Sequence, residues 1–116
     1  MFKKLTFLLI TVIAVFAISV PFATSAQSKK VFYWVSHGAP ADPVWTYFLA
    51  GAEQWAKDTG NEVRTSFHSG DVPSHQEAIR AAIAAKADGI VTSSPDPGSL
   101  VEVVAEARAA GIPATR

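Results

Sequence analysis

The sequence predicts an α/β fold in which a parallel sheet lies between helical layers, an αβα sandwich of three layers. Two features predict it. Short apolar runs near Val31, Glu62, Gly89 and Ile112 alternate with longer stretches of helical period, the pattern of βαβ units. Helix-entry signals stand at the strand-to-helix junctions, as Asp42-Pro43, Pro73 with Ser74-x-x-Glu77, and Ser99-x-x-Glu102.

Ahead of the first strand, Met1 to Ser28 carries Lys3 and Lys4, an uncharged run from Leu5 to Val20, and the small-residue stretch Ala23-Thr24-Ser25-Ala26. This is the three-part layout of a secretory signal peptide cleaved after Ala26, leaving residues 27–116 as a single domain. A membrane anchor is the alternative, since the run approaches the ~17 to 25 residues a spanning helix needs. Pro21, the small-residue site, and the lack of a basic cluster beyond Lys29 and Lys30 favour export to the periplasm. The chain has no cysteine, so it offers neither a lipid-anchor site nor a disulfide framework. Without Lys3 and Lys4, eight basic side chains face ten acidic ones, and nucleic acid finds no basic patch.

Val31 to Val35 is continuously apolar, as suits a strand buried on both faces. Asp42 then reads as an N-cap with Pro43 at the first helical position, Val44, Phe48, Ala52 and Trp55 recur at helical spacing, and Gly60 closes the helix. Glu62 to Phe67 alternates as a second strand. The Ser74-x-x-Glu77 capping box opens a second helix with Ala78, Ile79, Ala82 and Ile83 on one face. Gly89 to Ser93 is the third strand, followed by a turn through Pro95 and Pro97. The Ser99-x-x-Glu102 box opens a third helix whose stripe is Leu100, Val103, Val104 and Ala107. Gly111 ends it, and Ile112 to Thr115 begins a fourth strand. The chain stops inside that element, and about ninety exported residues bury a modest core. It is therefore expected to be a fragment of a longer protein rather than a three-strand mini-domain.

In an open parallel sheet, ligands bind beyond the carboxyl ends of the strands. The loops that matter are Ser36 to Asp42, His68 to Asp71, Ser93 to Asp96, and whatever follows Arg116. The first places Asp42, His37 and Trp45 close together at a strand exit. Sugars present C–H faces to flat apolar surfaces and hydroxyls to planar polar groups, so Trp45 and Asp42 have suitable chemistry. Asp42 is equally readable as an N-cap and Trp45 as core. The three histidines have no metal-ligand spacing, and no metal site is expected.

The order of these features resembles one family. Ser36-His37-Gly38 after a strand, Asp42-Pro43-Val44-Trp45 at a helix entry, Gly51-Ala52-Glu53, Gln76 to Ala85 leading into Ala87-Asp88-Gly89-Ile90-Val91, Pro95-Asp96, and Ala109-Ala110-Gly111-Ile112-Pro113 follow its pattern. Val31 to Arg116 is similar to the N-terminal lobe of type I periplasmic sugar-binding proteins, the ribose-binding-like group serving ABC importers. The resemblance implies strand order 2-1-3-4 and a second lobe, hinged so that ligand is enclosed between the two. It also implies a full-length monomer that needs no cofactor, binds a sugar or polyol without catalysis, and delivers it to a membrane permease.

By the same resemblance, Asp42, Val44 and Trp45 contact the sugar. The last two positions are usually aromatic in the family, and Val44 departs from that. Ser36, His37, Ser94 and Asp96 complete the expected ligand-binding set. Family contacts that follow the fourth strand lie beyond this chain, and Arg116 is not expected to replace them.

A sensor subunit reporting to a membrane receptor would have the same fold and stays open as an alternative. A small α/β enzyme could draw on His37, His68, Asp71 and Asp96, but no Gly-x-Ser-x-Gly elbow, Gly-rich phosphate loop or His-Glu-x-x-His pair occurs. A transcription regulator of this fold would carry a helix-turn-helix where this chain carries its export signal.

Overall fold

The structure, a computed structural model, describes residues 26–116. The signal-peptide reading lies outside the described residues except at Ala26. Strands and helices alternate as β1 Val31–Ser36, α1 Pro43–Thr59, β2 Glu62–Phe67, α2 Val72–Ala84, β3 Gly89–Thr92, α3 Val101–Ala109 and β4 Ala114–Thr115. All strand pairs are parallel, in the order β2-β1-β3-β4 that the resemblance implies.

The two-residue period of β1 divides its side chains between two different layers. Val35 joins Ile90 of β3, Ile79 and Ala82 of α2, and Val103 and Ala107 of α3 in the main core. Leu100 fills the entry to α3 and is fully buried. Each such valine, leucine or isoleucine contributes about 1.5–3 kcal/mol on burial.

Phe32 and Trp34 face α1 instead. Phe32 meets Trp55 edge-on at 5.1 Å, and Trp34 meets Phe67, Phe48 and Trp45 at 5.5, 6.3 and 6.4 Å. This layer is thinner: α1 has no fully buried residue, and Phe48 and Val91 remain 59% and 47% exposed. An open groove of about 400 Å³ runs between them, lined by Phe32, Trp34, Trp55 and Val63 as well.

Two helix starts differ from the capping boxes read in the sequence. α2 begins at Val72 because Asp71 caps it, its carboxylate accepting from Ser74 N at 3.4 Å, while Glu77 turns to Arg80 at 2.9 Å. α3 begins at Val101 with no side-chain cap at Leu100, and Asp96 accepts from the N–H groups of Gly98 and Ser99 at 2.9 and 2.8 Å. In both places an upstream carboxylate accepts from the serine's own N–H, and the serine hydroxyl turns back to donate to the carbonyl of that aspartate at 3.3 Å instead of capping the helix. The reading of Asp42 as an N-cap holds, with its Oδ1 accepting from Val44 N at 3.0 Å.

The fourth strand is shorter than expected because Gly111, at φ 78°, and Ile112 close α3 in a Schellman turn. The Ile112 N–H reaches Ala107 O at 3.0 Å and the Gly111 N–H reaches Arg108 O at 3.0 Å. The same turn ends α2, with Ala87 N–H on Ala82 O and Lys86 N–H on Ile83 O. There the left-handed position is held by Lys86 at φ 55°. Replacing this exposed lysine removes a Cβ penalty, so Lys86→Gly should raise the unfolding free energy by about 1 kcal/mol. Urea denaturation of the two proteins measures it, and a destabilised variant would show that the lysine head group at this helix end outweighs its backbone strain.

Candidate functional site

The carboxyl ends of β1, β2 and β3 lie side by side, and the loops leaving them are bonded together. The backbone N–H groups of His68, Ser69 and Gly70 donate to the carbonyls of Ser36, Gly38 and His37 at 3.0, 3.0 and 2.8 Å. The first and second loops therefore form one ledge.

The third strand end joins this ledge through Ser93. Its Oγ accepts from His37 N at 3.0 Å, lies 2.8 Å from His37 Nδ1, and lies 3.3 Å from Ser36 Oγ. Ser36 is fully buried, and its Oγ also accepts from Gly38 N at 3.1 Å. It is walled off by these bonds and supports the loop from beneath.

His37 is half-buried, and Trp45 stands edge-on to it at 5.1 Å. The indole lies directly over Gly38 and within 5.5 Å of Phe48. Both sequence readings of Trp45 thus have a physical counterpart, since the ring packs on Trp34 and Phe48 yet is only half-buried. Asp42 and Val44 are exposed beside it. Asp42 spends Oδ1 on the helix cap, and among the described residues its Oδ2 has no partner.

Ser94 and Asp96 sit in the third loop and bond to their own turn. Ser94 Oγ donates to the Asp96 carbonyl, and the Asp96 carboxylate holds Gly98 and Ser99. Those backbone N–H groups keep the Asp96 carboxyl below its usual range. Arg116 reaches the same turn, donating to Pro97 O at 2.6 Å. The structure therefore brings Ser36, His37 and Trp45 into one cluster with Asp42 and Val44 at its edge, while Ser94 and Asp96 shape the neighbouring turn.

Two further groups at this end of the sheet lie outside the ligand-binding set expected from the sequence. Ser93 is one. The other is the stacked pair of His68 and His75, with centroids 5.3 Å apart and planes at 17°. Both ring nitrogens of His68 are engaged, by Ser74 and Ser66 at 2.9 and 3.0 Å. His75 is fully buried; its Nε2–H donates to Thr92 Oγ1 at 2.7 Å, and Thr92 donates on to Val35 O at 2.8 Å. Burial lowers the pKa of His68, opposed by Asp71, and lowers that of His75 to about 4. Among the described residues, no three histidine, aspartate or glutamate side chains converge as metal ligands.

Chemically, the cluster offers an aromatic edge and an imidazole in contact, with an exposed carboxylate on the same loop. It suits a neutral polyhydroxylated molecule.

A model of the periplasmic binding protein domain family matches residues 32–115. No curated protein matches the chain by sequence. Among solved structures, a carbohydrate transporter from Acidothermus cellulolyticus in complex with myo-inositol is 29% identical, with TM-score 0.70 over 75% of this chain and 30% of its own. A sugar ABC transporter protein from Yersinia enterocolitica is 28% identical, with TM-score 0.70 over 76% of this chain and 26% of its own. A periplasmic sugar-binding protein from Legionella pneumophila is 27% identical, with TM-score 0.69 over 74% of this chain and 32% of its own. The chain spans about a third or less of the length of these structures. With the family model covering the sheet, helices α1 to α3 and the loops of the cluster, the chain belongs to the periplasmic binding protein domain family.

Proposed function

We propose that the protein is the periplasmic solute-binding component of an ABC importer and that it holds a sugar or polyol at the ends of β1 and β3 without catalysis. One observation carries the reading: Trp45 stands edge-on to His37 at a strand exit, with the exposed Asp42 three residues before it, in a chain similar to sugar-binding relatives. In this reading residues 1–26 direct export. The sugar rests a C–H face on Trp45, a hydroxyl donates to Asp42 Oδ2, and His37 meets a second oxygen. Val44 leaves the neighbouring position without an aromatic face. A second lobe closes over the exposed side of the sugar, and the closed form is what a membrane permease recognises.

Titration calorimetry of the full-length protein against a panel of pentoses, hexoses and inositols tests the proposal. One sugar should bind and be recovered chemically unchanged. Trp45→Ala should weaken it about ten- to hundredfold, as loss of a desolvated aromatic contact does. Equal affinity in wild type and variant would remove Trp45 from the site, and turnover of the bound sugar would replace transport by catalysis.

A further inference from the structure

We infer, resting on the two-lobe reading above, that one later helix of the full-length chain covers the α1 face of the sheet. It lies beside α1, over β3 and β4, and comes closest at Gly51.

The two flanks of α1 differ. Trp45, Leu49, Ala52 and Ala56 form its half-buried, sheet-facing stripe. On the flank toward β2 stand Thr46, Glu53 and Lys57, exposed and polar as a solvated flank should be. On the other flank Val44, Phe48, Gly51 and Trp55 recur at the i, i+4, i+7, i+11 spacing of a seam between helices, and all four are exposed. A Cβ added at Gly51 would meet nothing within 4 Å. A glycine weakens a helix interior, and its gain is the close approach of a neighbour.

The sheet beside that flank is equally bare. The groove of about 400 Å³ under Phe48 and Trp55 continues into a second of about 370 Å³ bounded by Gly89, Pro113 and Thr115, with Phe32 and Val91 lining both. Strands lie about 4.8 Å apart, so β3 and β4 together leave a band roughly one helix, about 10 Å, wide. The opposite face is already closed by α2 and α3. A contiguous apolar surface of this kind marks a contact.

Length and topology name the occupant. The match takes up 26 to 32% of the three solved relatives described above, so each has further chain with which to complete such a lobe. A helix leading from β4 to a strand beyond it would join α2 and α3, because a right-handed crossover in the direction β1-β3-β4 lays its helix on their face. The cover on the α1 face therefore belongs to chain that has left this lobe and returned to it.

Hydroxyl-radical footprinting of the mature full-length protein, read by mass spectrometry, tests this without a substitution. Tyr47 points away from the sheet and is the exposed reference. Trp55 and Phe48 should lose most of their oxidation relative to Tyr47, at every protein concentration. Oxidation of Trp55 as ready as that of Tyr47 would leave the face open and overturn the inference. Protection that fades on dilution would assign the face to a second copy and overturn it equally. Gly51→Leu adds a test of sign. On an open helix leucine is the better residue and raises the urea midpoint, whereas under a close neighbour it should lower it. A raised midpoint would remove the neighbour from Gly51. Protection of Trp55 in a protein that binds no sugar by calorimetry would keep the covering helix and overturn the solute-binding reading. Sugar binding with Trp55 fully reactive would do the reverse.

Discussion

Acidification from neutral pH to below pH 4 should cost the fold about 3 kcal/mol through His75 alone. In the unfolded chain an imidazole titrates near 6.5, whereas in the fold that of His75 titrates at about 4. Burial is the main cause, and repulsion from His68 and His37 adds to it, opposed by the Val35 carbonyl. Between these two values the unfolded state binds more protons than the folded state, so stability falls as pH falls. The full contribution is present above about pH 6.5, about 2 kcal/mol is lost by pH 5, and the remainder is lost as the folded ring is protonated. His68, also lowered by burial, adds a loss of the same sign, with Asp71 working against it.

The lowered carboxyls of Glu62, Asp96 and Glu106 act in a lower window, below their unfolded values of about 4 to 4.5. The slope between pH 6.5 and 5 is therefore a histidine slope. Urea unfolding at stepped pH measures it. His75→Gln keeps a donor for Thr92 and cannot titrate, so its slope across that interval should be much flatter. Parallel slopes in the two proteins would mean that His75 takes up its proton in the fold as readily as in the unfolded chain.

His75 also shows what a linear reading of the sequence misses. It lies on α2 one turn ahead of Ala78 and Ile79, read correctly as part of a core-facing stripe, but its partner Thr92 is seventeen positions away and on a strand. The element order was legible because each strand and each helical stripe is written in consecutive residues. Helix starts were less legible, because Asp71 caps α2 ahead of the serine box and Asp96 ties up the turn before an uncapped α3, arrangements that only the folded turns define. At the site, Ser36, His37, Asp42 and Trp45 could be grouped because they surround one strand exit. Ser93 could not, since it meets His37 across fifty-six positions. Its neighbour Ser94 drew attention instead, and the structure turns that hydroxyl back on its own loop.

Gly38→Ala should damage stability and ligand binding together, through contact with a single side chain. The φ of Gly38 lies outside the left-handed region, so alanine meets no backbone penalty, and the N–H that bonds Ser36 is retained. The obstacle is Trp45: a Cβ at position 38 would stand 2.1, 2.2 and 2.3 Å from Nε1, Cε2 and Cδ1 of the indole. The ring has no room to retreat inward, because Trp34, Phe48 and His37 already surround it at 6.4, 5.5 and 5.1 Å. It must swing outward and leave both its aromatic contacts and its place at the crevice. Overpacking of this kind costs about 1–3 kcal/mol. Sugar affinity of the full-length protein should fall as far as in Trp45→Ala, about ten- to hundredfold.

A double-mutant cycle separates this cause from a general disturbance of the loop. Once Trp45 is alanine, the atoms that a new Cβ would strike are gone. Adding Gly38→Ala to Trp45→Ala should then cost little in either unfolding free energy or affinity. Additive losses would place the damage in the loop backbone and show that the indole does not rest on Gly38.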